Sequence, residues 1–300
     1  MRLSADDLFL LGQCAISAAC QAGHLIAEYS QRSVAVNTKD GGGSLAAQVV
    51  TEVDHLSQQI IMQVLQPTCG MFDLTLLSEE SPDDRQRLHK DFFWSVDPLD
   101  GTLPFIEAVP GYSVSIALVS KAGTPLIGVI YDPLTQTLYH AINGQGAWRN
   151  HRALVRPASP LAAQTLVLIT DKSFAQDPLY PPMLAEAACI AADLGYVGAE
   201  IKLQGGAAMN ACQVLDKPPA CYFKFPKSQL GGGSIWDYAA TSCLFQEVGA
   251  VVSDIYGKPL ELNPAGSTFM NHCGVLYCAD RAMAARMILA YQRLIQSGRA

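Results

Sequence analysis

The chain of 300 residues has no surplus of positive charge: Asp and Glu outnumber Lys and Arg 27 to 20, leaving a net charge of −7. A surface that gathers the phosphates of a polymer needs the opposite balance, so nucleic acid is not an expected partner. The same charge is no obstacle to a small phosphorylated molecule. No uninterrupted apolar run reaches membrane-spanning length, so a membrane is not expected either, and no segment repeats another. The first thirty residues lack the form of a targeting signal, because Asp6, Asp7 and Glu28 interrupt them. No C-x-x-C occurs among the nine cysteines, whose number is odd. Several lie in apolar runs and read as buried, reduced thiols of a cytoplasmic protein. Cys273 and Cys278 beside His272 have the makings of a soft-metal site, although core packing explains them more simply.

What is present is an apolar half of the composition, enough for a core in one large or two modest domains. Ser4 before Asp6 and Asp7 marks a helix start, and Leu8, Leu11, Ala15, Ala18 and Ala19 follow at near-helical spacing. Asn37–Ser44 reads as a polar loop, and the glycine-rich stretch Gly41–Ala47 as a mobile flap carrying Lys39. Val49–Asp54 then leads into a helix over His55–Leu65, placing Asp54 near its start, where a carboxylate by itself is a cap. Leu74–Leu77 is strand-like and ends in Ser78-Glu79-Glu80-Ser81, two glutamates that alone read as solvated loop. From Tyr112 to Tyr139 the chain alternates like a sheet, with turns at Gly123 and Asp132-Pro133. Asn143–Arg152 is turn-rich, and Arg156–Pro160 reads as a joint between an N-terminal domain (1–155) and a C-terminal one (156–300). Beyond it, strands at Leu166–Thr170 and Val251–Asp254 alternate with helices at Pro182–Gly195 and Ala279–Ser297, an α/β pattern.

Chemistry concentrates after the run Phe92, Phe93, Trp94, Val96, a buried strand in this reading. It ends in Asp97-Pro98-Leu99-Asp100-Gly101-Thr102. Two carboxylates three residues apart at a strand end converge, repel each other and ask for a cation. Oxygen donors without His or Cys select Mg²⁺ over Zn²⁺. Taken alone, the stretch also reads as an Asp-Pro-Gly turn. A second stretch, Trp236-Asp237-Tyr238-Ala239-Ala240, follows three glycines and runs to Gly249, with Asp237 in the first turn of a helix. Alone, Asp237 reads as a helix-start carboxylate.

Together, these two stretches resemble the paired signatures of the inositol monophosphatase superfamily, Mg²⁺-dependent and lithium-sensitive phosphatases. Lys39, Thr51-x-x-Asp54, Ser78-Glu79-Glu80-Ser81 and Gly205-Gly206-Ala207-Ala208-Met209-Asn210 fit in order, so the resemblance runs from Lys39 to the closing helix. It implies a layered α-β-α-β-α sandwich with metals where the two halves meet. It implies a first metal on Glu79, Asp97 and the Leu99 carbonyl, a second on Asp97, Asp100 and Asp237, and a loosely held third near Glu79. Asp54 and Thr102 are implied to orient waters, Thr102 through a hydrogen bond to a carboxylate such as Glu79. Phosphate monoesters repel hydroxide, and their hydrolysis needs cations that neutralise charge and acidify water, in agreement with four carboxylates and two to three Mg²⁺. The Gly101 and Thr102 amides, at a helix beginning near Leu103, suit phosphate oxygens. Gly205, Gly206 and Ala207 join them on the substrate side.

The departures bear on substrate. Counted from Gly205, Lys224 stands where inositol monophosphatases carry a glutamate for inositol hydroxyls, and Tyr222–Asp237 is longer than in those enzymes. This resembles the 3′(2′),5′-bisphosphate nucleotidase branch, with Lys224 and Lys227 facing a second phosphate. A solvated lysine pair is the alternative. Leu103-Pro104 is also unusual, although Pro is tolerated in a first helical turn. The expected function is hydrolysis of adenosine 3′,5′-bisphosphate. Inositol 1-phosphate, fructose 1,6-bisphosphate and an inactive ligand- or partner-binding relative remain as alternatives, and a homodimer is compatible with the resemblance.

Overall fold

The computed structural model describes residues 2–37, 43–155 and 164–297. Lys39, the glycines at 41 and 42 and the joint at 156–160 lie outside them. Ser4 opens helix α1 (Ala5–Asn37) through a reciprocal cap: its hydroxyl accepts from the Asp7 amide at 3.1 Å, and Asp7 Oδ2 accepts from the Ser4 amide at 2.8 Å. Leu11, Ala15, Ala18, Ala19, Ala22 and Ile26 form its buried stripe. Over Ala5–Gln31 the helix is long and apolar enough to cross a membrane by length and composition, contrary to expectation, because its acidic residues cluster towards its ends. The stripe nevertheless lies in the protein core, where a Cβ on Gly23 would fall 2.2 Å from Tyr131.

Helix α2 (Gly43–Met71) starts earlier than the sequence pattern suggests. The β-branched run Val49–Val53 favours a strand locally, but Val53, Ile61 and Leu65 share one helical face against the sheet, and that burial decides. Two expectations change with it. The backbone from Gly43 onward is helix rather than flap, and Asp54 sits in a helix interior rather than near a helix start.

The first sheet follows in chain order, with β1 (Thr75–Ser78), β2 (Phe92–Asp100), the short helix α3 (Thr102–Ile106), β3 (Ser113–Ser120), β4 (Pro125–Asp132), β5 (Thr137–Ile142), β6 (Gly146–Arg149) and β7 (Arg152–Ala153). Its strands lie in sequence order, β1 parallel to β2 and the others antiparallel. The turn-rich segment 143–152 therefore contains strand pairing as well as turns. The second half adds β8 (Thr165–Thr170), α4 (Tyr180–Asp193), β9 (Gly198–Leu203), α5 (Ala207–Asp216), β10 (Ala220–Lys224), α6 (Ile235–Val248), β11 (Val251–Ser253), β12 (Val275–Cys278) and α7 (Arg281–Ser297). The second sheet is ordered β11-β12-β10-β8-β9, with β8 parallel to both β9 and β10.

Alternation along the strands builds the layers. On the first sheet Trp94, Val96, Val114 and Ile116 face α1 and α2, while Phe93, Ala117 and Val119 face α5 and α6. Ile169, Tyr222 and Tyr277 of the second sheet close that middle core, and Leu168, Phe223 and Leu276 face α4 and α7. The result is the α-β-α-β-α sandwich. Helix α6 belongs to the second half yet packs on β3 and β4, so the halves share one core. Cys278 lies in the outer core with its sulfur 3.0 Å from that of Cys221, while Cys273 donates to the Met270 carbonyl. Core packing, and not a soft-metal site, accounts for this pair.

Candidate active site

Strand parity places the first carboxylate. Phe93, Ser95 and Asp97 alternate onto the face of β2 turned towards α6, so Asp97 points at the helix that carries Asp237. A register irregularity between Asp97 and Asp100, at Pro98, then brings Asp100 to the same side. The Ser57 hydroxyl of α2 donates to the Pro98 carbonyl at 2.8 Å, and the Leu99 amide donates to Asp97 Oδ1 at 3.0 Å. Both bonds fix the turn. Asp237 is the third residue of α6, where its Oδ2 accepts from the Ser234 amide at 2.5 Å. It is therefore both a helix cap and a site carboxylate.

One oxygen each from Asp97, Asp100 and Asp237 lies within 4.8 Å of the others. Glu79 joins them one residue past β1, its amide donating to the Val96 carbonyl at 3.1 Å beside Asp97. Glu79 lies close to Asp97, and Asp237 close to both Asp97 and Asp100, so these carboxyl groups repel one another when charged. A cation placed among them offsets that repulsion. Four oxygen donors without nitrogen or sulfur fit a hard divalent ion. The donor set therefore suits Mg²⁺.

The electrostatics agree. Burial, with Asp237 next, pushes the Glu79 carboxyl up to about 7. Burial and Asp237 raise Asp100 to about 8 against the opposing pull of the Ala208 and Ala207 amides. Burial raises Asp97 well above the carboxylate range, reinforced by Glu79, Asp100 and Asp237. Asp54, inside α2, rises to about 7 through burial and then Glu80 and Glu79. In an unfolded chain these groups titrate near 4 (roughly). Each raised group adds stability that is complete below its unfolded value and is lost as pH rises through its folded one. We therefore expect the thermal midpoint of the metal-free protein to fall between about pH 5 and 9, and saturating Mg²⁺ to remove most of that slope. Thermal shifts in EDTA and in MgCl₂ measure both; a metal-free midpoint that climbs over this range contradicts the assignment.

The other sequence-derived residues divide. Gly101 has φ 86 and ψ 46, and a Cβ there would fall 2.4 Å from the Gly111 carbonyl oxygen. Helix α3 begins at Thr102 and has five residues. Pro104 fits because it packs on Gly205, where a Cβ would come within 2.8 Å of its ring. Thr102 itself is exposed and makes no hydrogen bond to Glu79, contrary to expectation, because it starts α3 with its side chain turned to solvent. The amides of Ala207 and Ala208 donate to Asp100 at 3.0 and 2.8 Å, so in this structure Ala207 serves a site carboxylate first. Gly206 fits against Gly111 to make that approach.

Lys224 is not a solvated loop lysine. Its side chain is 14% exposed and its Nζ lies 3.0 Å from Asp171 Oδ2 and donates to the Gly232 carbonyl at 2.9 Å. Burial opposes its charge, but Tyr238, Asp171 and Asp237 together hold the ammonium protonated well above the usual lysine range. Lys227 is exposed and donates to the Ser173 hydroxyl at 3.2 Å. The sequence pattern gives Asp171 no role, although it directly follows a strand as Glu79 does, and Glu79 gains its role from the family resemblance. Ser57 and Gly111 carried no such signal, since only tertiary contact gives them a role.

Comparison with known proteins places this geometry. The inositol monophosphatase family profile matches residues 10–296. A Haemophilus influenzae protein, Nus factor SuhB, is 30% identical over 90% of this chain and 91% of its own length. The 3′(2′),5′-bisphosphate nucleotidase CysQ of Salmonella typhimurium is 30% identical over 74% of this chain and 82% of its own. Among solved structures, inositol monophosphatase from Anabaena (Nostoc) sp. superimposes with a TM-score of 0.68 at 24% identity, covering 96% of this chain and 97% of that one. That last likeness concerns the fold.

Proposed function

The chain belongs to the inositol monophosphatase family, and on that footing we propose that it is a Mg²⁺-dependent phosphomonoesterase whose favoured substrate is adenosine 3′,5′-bisphosphate. The observation that carries the proposal is the convergence of Asp97, Asp100 and Asp237, with Glu79 beside them, on one pocket of oxygen donors. Bound there, Mg²⁺ supplies positive charge against the phosphate and lowers the pKa of water. Glu79, Asp97, Asp100, Asp237 and the Leu99 carbonyl hold it. Asp54, the buried carboxyl facing Glu79 and Glu80, orients water at the edge of the site, and Thr102 does the same from its exposed position at the start of α3. The Gly101 and Thr102 amides receive phosphate oxygens, and Gly205, Gly206 and Ala207 line the substrate side. The free cysteines are in keeping with a cytoplasmic enzyme.

The bisphosphate reading draws on the CysQ relatives and on Lys224 with Lys227 at the substrate side. A second reading, an inositol or sugar phosphate, is favoured by one observation: Lys224 is already paired with Asp171, which weakens its pull on a second phosphate. A phosphate-release panel with Mg²⁺ separates the two. Adenosine 3′,5′-bisphosphate is expected to be hydrolysed with a kcat/KM above those of inositol 1-phosphate, fructose 1,6-bisphosphate and adenosine 3′-monophosphate. The double change Lys224→Glu with Lys227→Ser is expected to lower the ratio of kcat/KM for the bisphosphate to that for the monophosphate by about tenfold or more. An unchanged ratio removes these lysines from substrate recognition. Phosphate release from none of the panel points to a relative that only binds a ligand or partner.

A further inference from the structure

We propose that Asp171 is a specificity-determining residue: by neutralising Lys224 it limits how strongly the site selects a substrate bearing a second phosphate. The inference deepens the nucleotidase reading and rests on it.

Topology brings the two together. Strands β8 and β10 are parallel, with Ile169 opposite Tyr222. Two residues further on, Asp171 and Lys224 therefore come side by side at the C-terminal ends of both strands, the end where open α/β sheets bind ligands. Three neighbours fix the ammonium: Asp171 at 3.0 Å, the Gly232 carbonyl at 2.9 Å, and the Tyr238 ring with its centroid 5.7 Å away. Of these, only Asp171 is a carboxylate; Asp237 of the carboxylate cluster also acts on the ammonium but is not in ion-pair contact with it. Gly232 is itself anchored twice, since the Tyr238 hydroxyl also donates to its carbonyl at 2.9 Å. The lysine is thus held at the strand ends and by the glycine loop leading into α6, and its place does not depend on the charge of Asp171 alone. The neighbouring cation Lys172 is ion-paired with Glu107 across the two halves.

A phosphate dianion approaching Lys224 accordingly meets a nearly neutral pair instead of a free ammonium. Attraction to the lysine is set against repulsion by a carboxylate a few ångströms further away, at a site where exposure is 14% for Lys224 and 25% for Asp171 and screening is incomplete. Hydrogen bonding to Lys224 remains available, but its long-range pull is largely cancelled. Selection for a second phosphate is therefore weaker than the lysine alone provides, and the enzyme accepts monophosphates more readily.

Asp171→Asn removes the charge and keeps an oxygen that accepts from Lys224. The test compares kcat/KM for adenosine 3′,5′-bisphosphate with that for adenosine 3′-monophosphate, which shares the bond to be cleaved and lacks the 5′-phosphate. General damage lowers both values together, so the ratio is the readout. In Asp171→Asn the ratio is expected to rise about tenfold, mainly through a lower KM for the bisphosphate, and the gain is expected to shrink at high salt. Asp171→Glu returns the ratio towards that of the parent, and Asp171→Asn combined with Lys224→Met shows no gain. Where the asparagine variant does not fold, Asp171→Ser carries the same expectation. A folded variant with an unchanged ratio, in an enzyme that does hydrolyse the bisphosphate, overturns the role of Asp171 and leaves the nucleotidase reading standing. If the parent enzyme releases phosphate from neither nucleotide, that reading falls and the proposal with it.

Discussion

Asp97→Asn is expected to lower kcat by about a thousandfold or more at saturating Mg²⁺ while the protein remains folded. Asp97 is 2% exposed, yet no apolar contact depends on its charge. Its surroundings are Glu79, Asp100 and Asp237, all acidic, and its carboxyl is raised well above the ordinary range by burial and by them. In the metal-free protein the negative charge is thus a liability, and the neutral amide relieves it. The metal-free thermal midpoint at pH 8 is therefore expected to rise by a few degrees in Asp97→Asn, in the same protein that has lost turnover. Mg²⁺ should raise that midpoint less than it raises the parent's. Opposite movement of stability and activity separates a cation ligand from a core residue, for which both decline together. A folded Asp97→Asn protein with near-normal turnover would falsify the assignment.

Gly206→Ala is expected to cost about 3 kcal/mol of stability or more and to remove most activity. Gly206 has φ 78 and ψ 102, a conformation L-residues rarely adopt, and a Cβ there would stand 1.6 Å from the Gly111 carbonyl oxygen. Backbone cannot swing aside as a long side chain can. The displaced segment is the entry to α5, whose Ala207 and Ala208 amides hold Asp100, so the strain passes directly to the carboxylate cluster. Gly144→Ala supplies the control. Gly144 has φ 76 with nothing near its would-be Cβ, so its cost is conformational alone, about 1 kcal/mol. Urea midpoints of the two variants separate clash from dihedral strain, and equal midpoints would argue against the tight contact between Gly206 and Gly111.

The distribution of these effects follows how information is stored in the chain. The Asp97–Thr102 and Trp236–Ala240 stretches were legible as a pair, because together they resemble one family's signatures; alone, each also reads as a turn or a helix-start carboxylate. Periodicity showed strands and an α/β pattern, whereas the layered sandwich was implied by the family resemblance; that Trp94 and Phe93 face opposite layers is a finding of the structure. Asp54 was misplaced for a local reason. Local β-propensity in Val49–Val53 pointed one way, and burial of Val53 with Ile61 and Leu65 on a helical face pointed the other. The apolar middle of α1 likewise has a core role that only its seat against the first sheet reveals.

Residue order thus sufficed for strands, helices and an α/β pattern through periodicity, and for the family, the layered fold and the four carboxylates through resemblance to that family's signatures. Packing in three dimensions settled what lies between distant segments. It set Lys224 against Asp171 by pairing two parallel strands, gave the Ala207 and Ala208 amides to Asp100, and seated Gly206 on Gly111. The physical reason is range. Periodicity and turn chemistry act over a few residues, whereas a buried charge takes its character from whichever partners the fold brings within a few ångströms, and their positions in the chain do not announce the meeting.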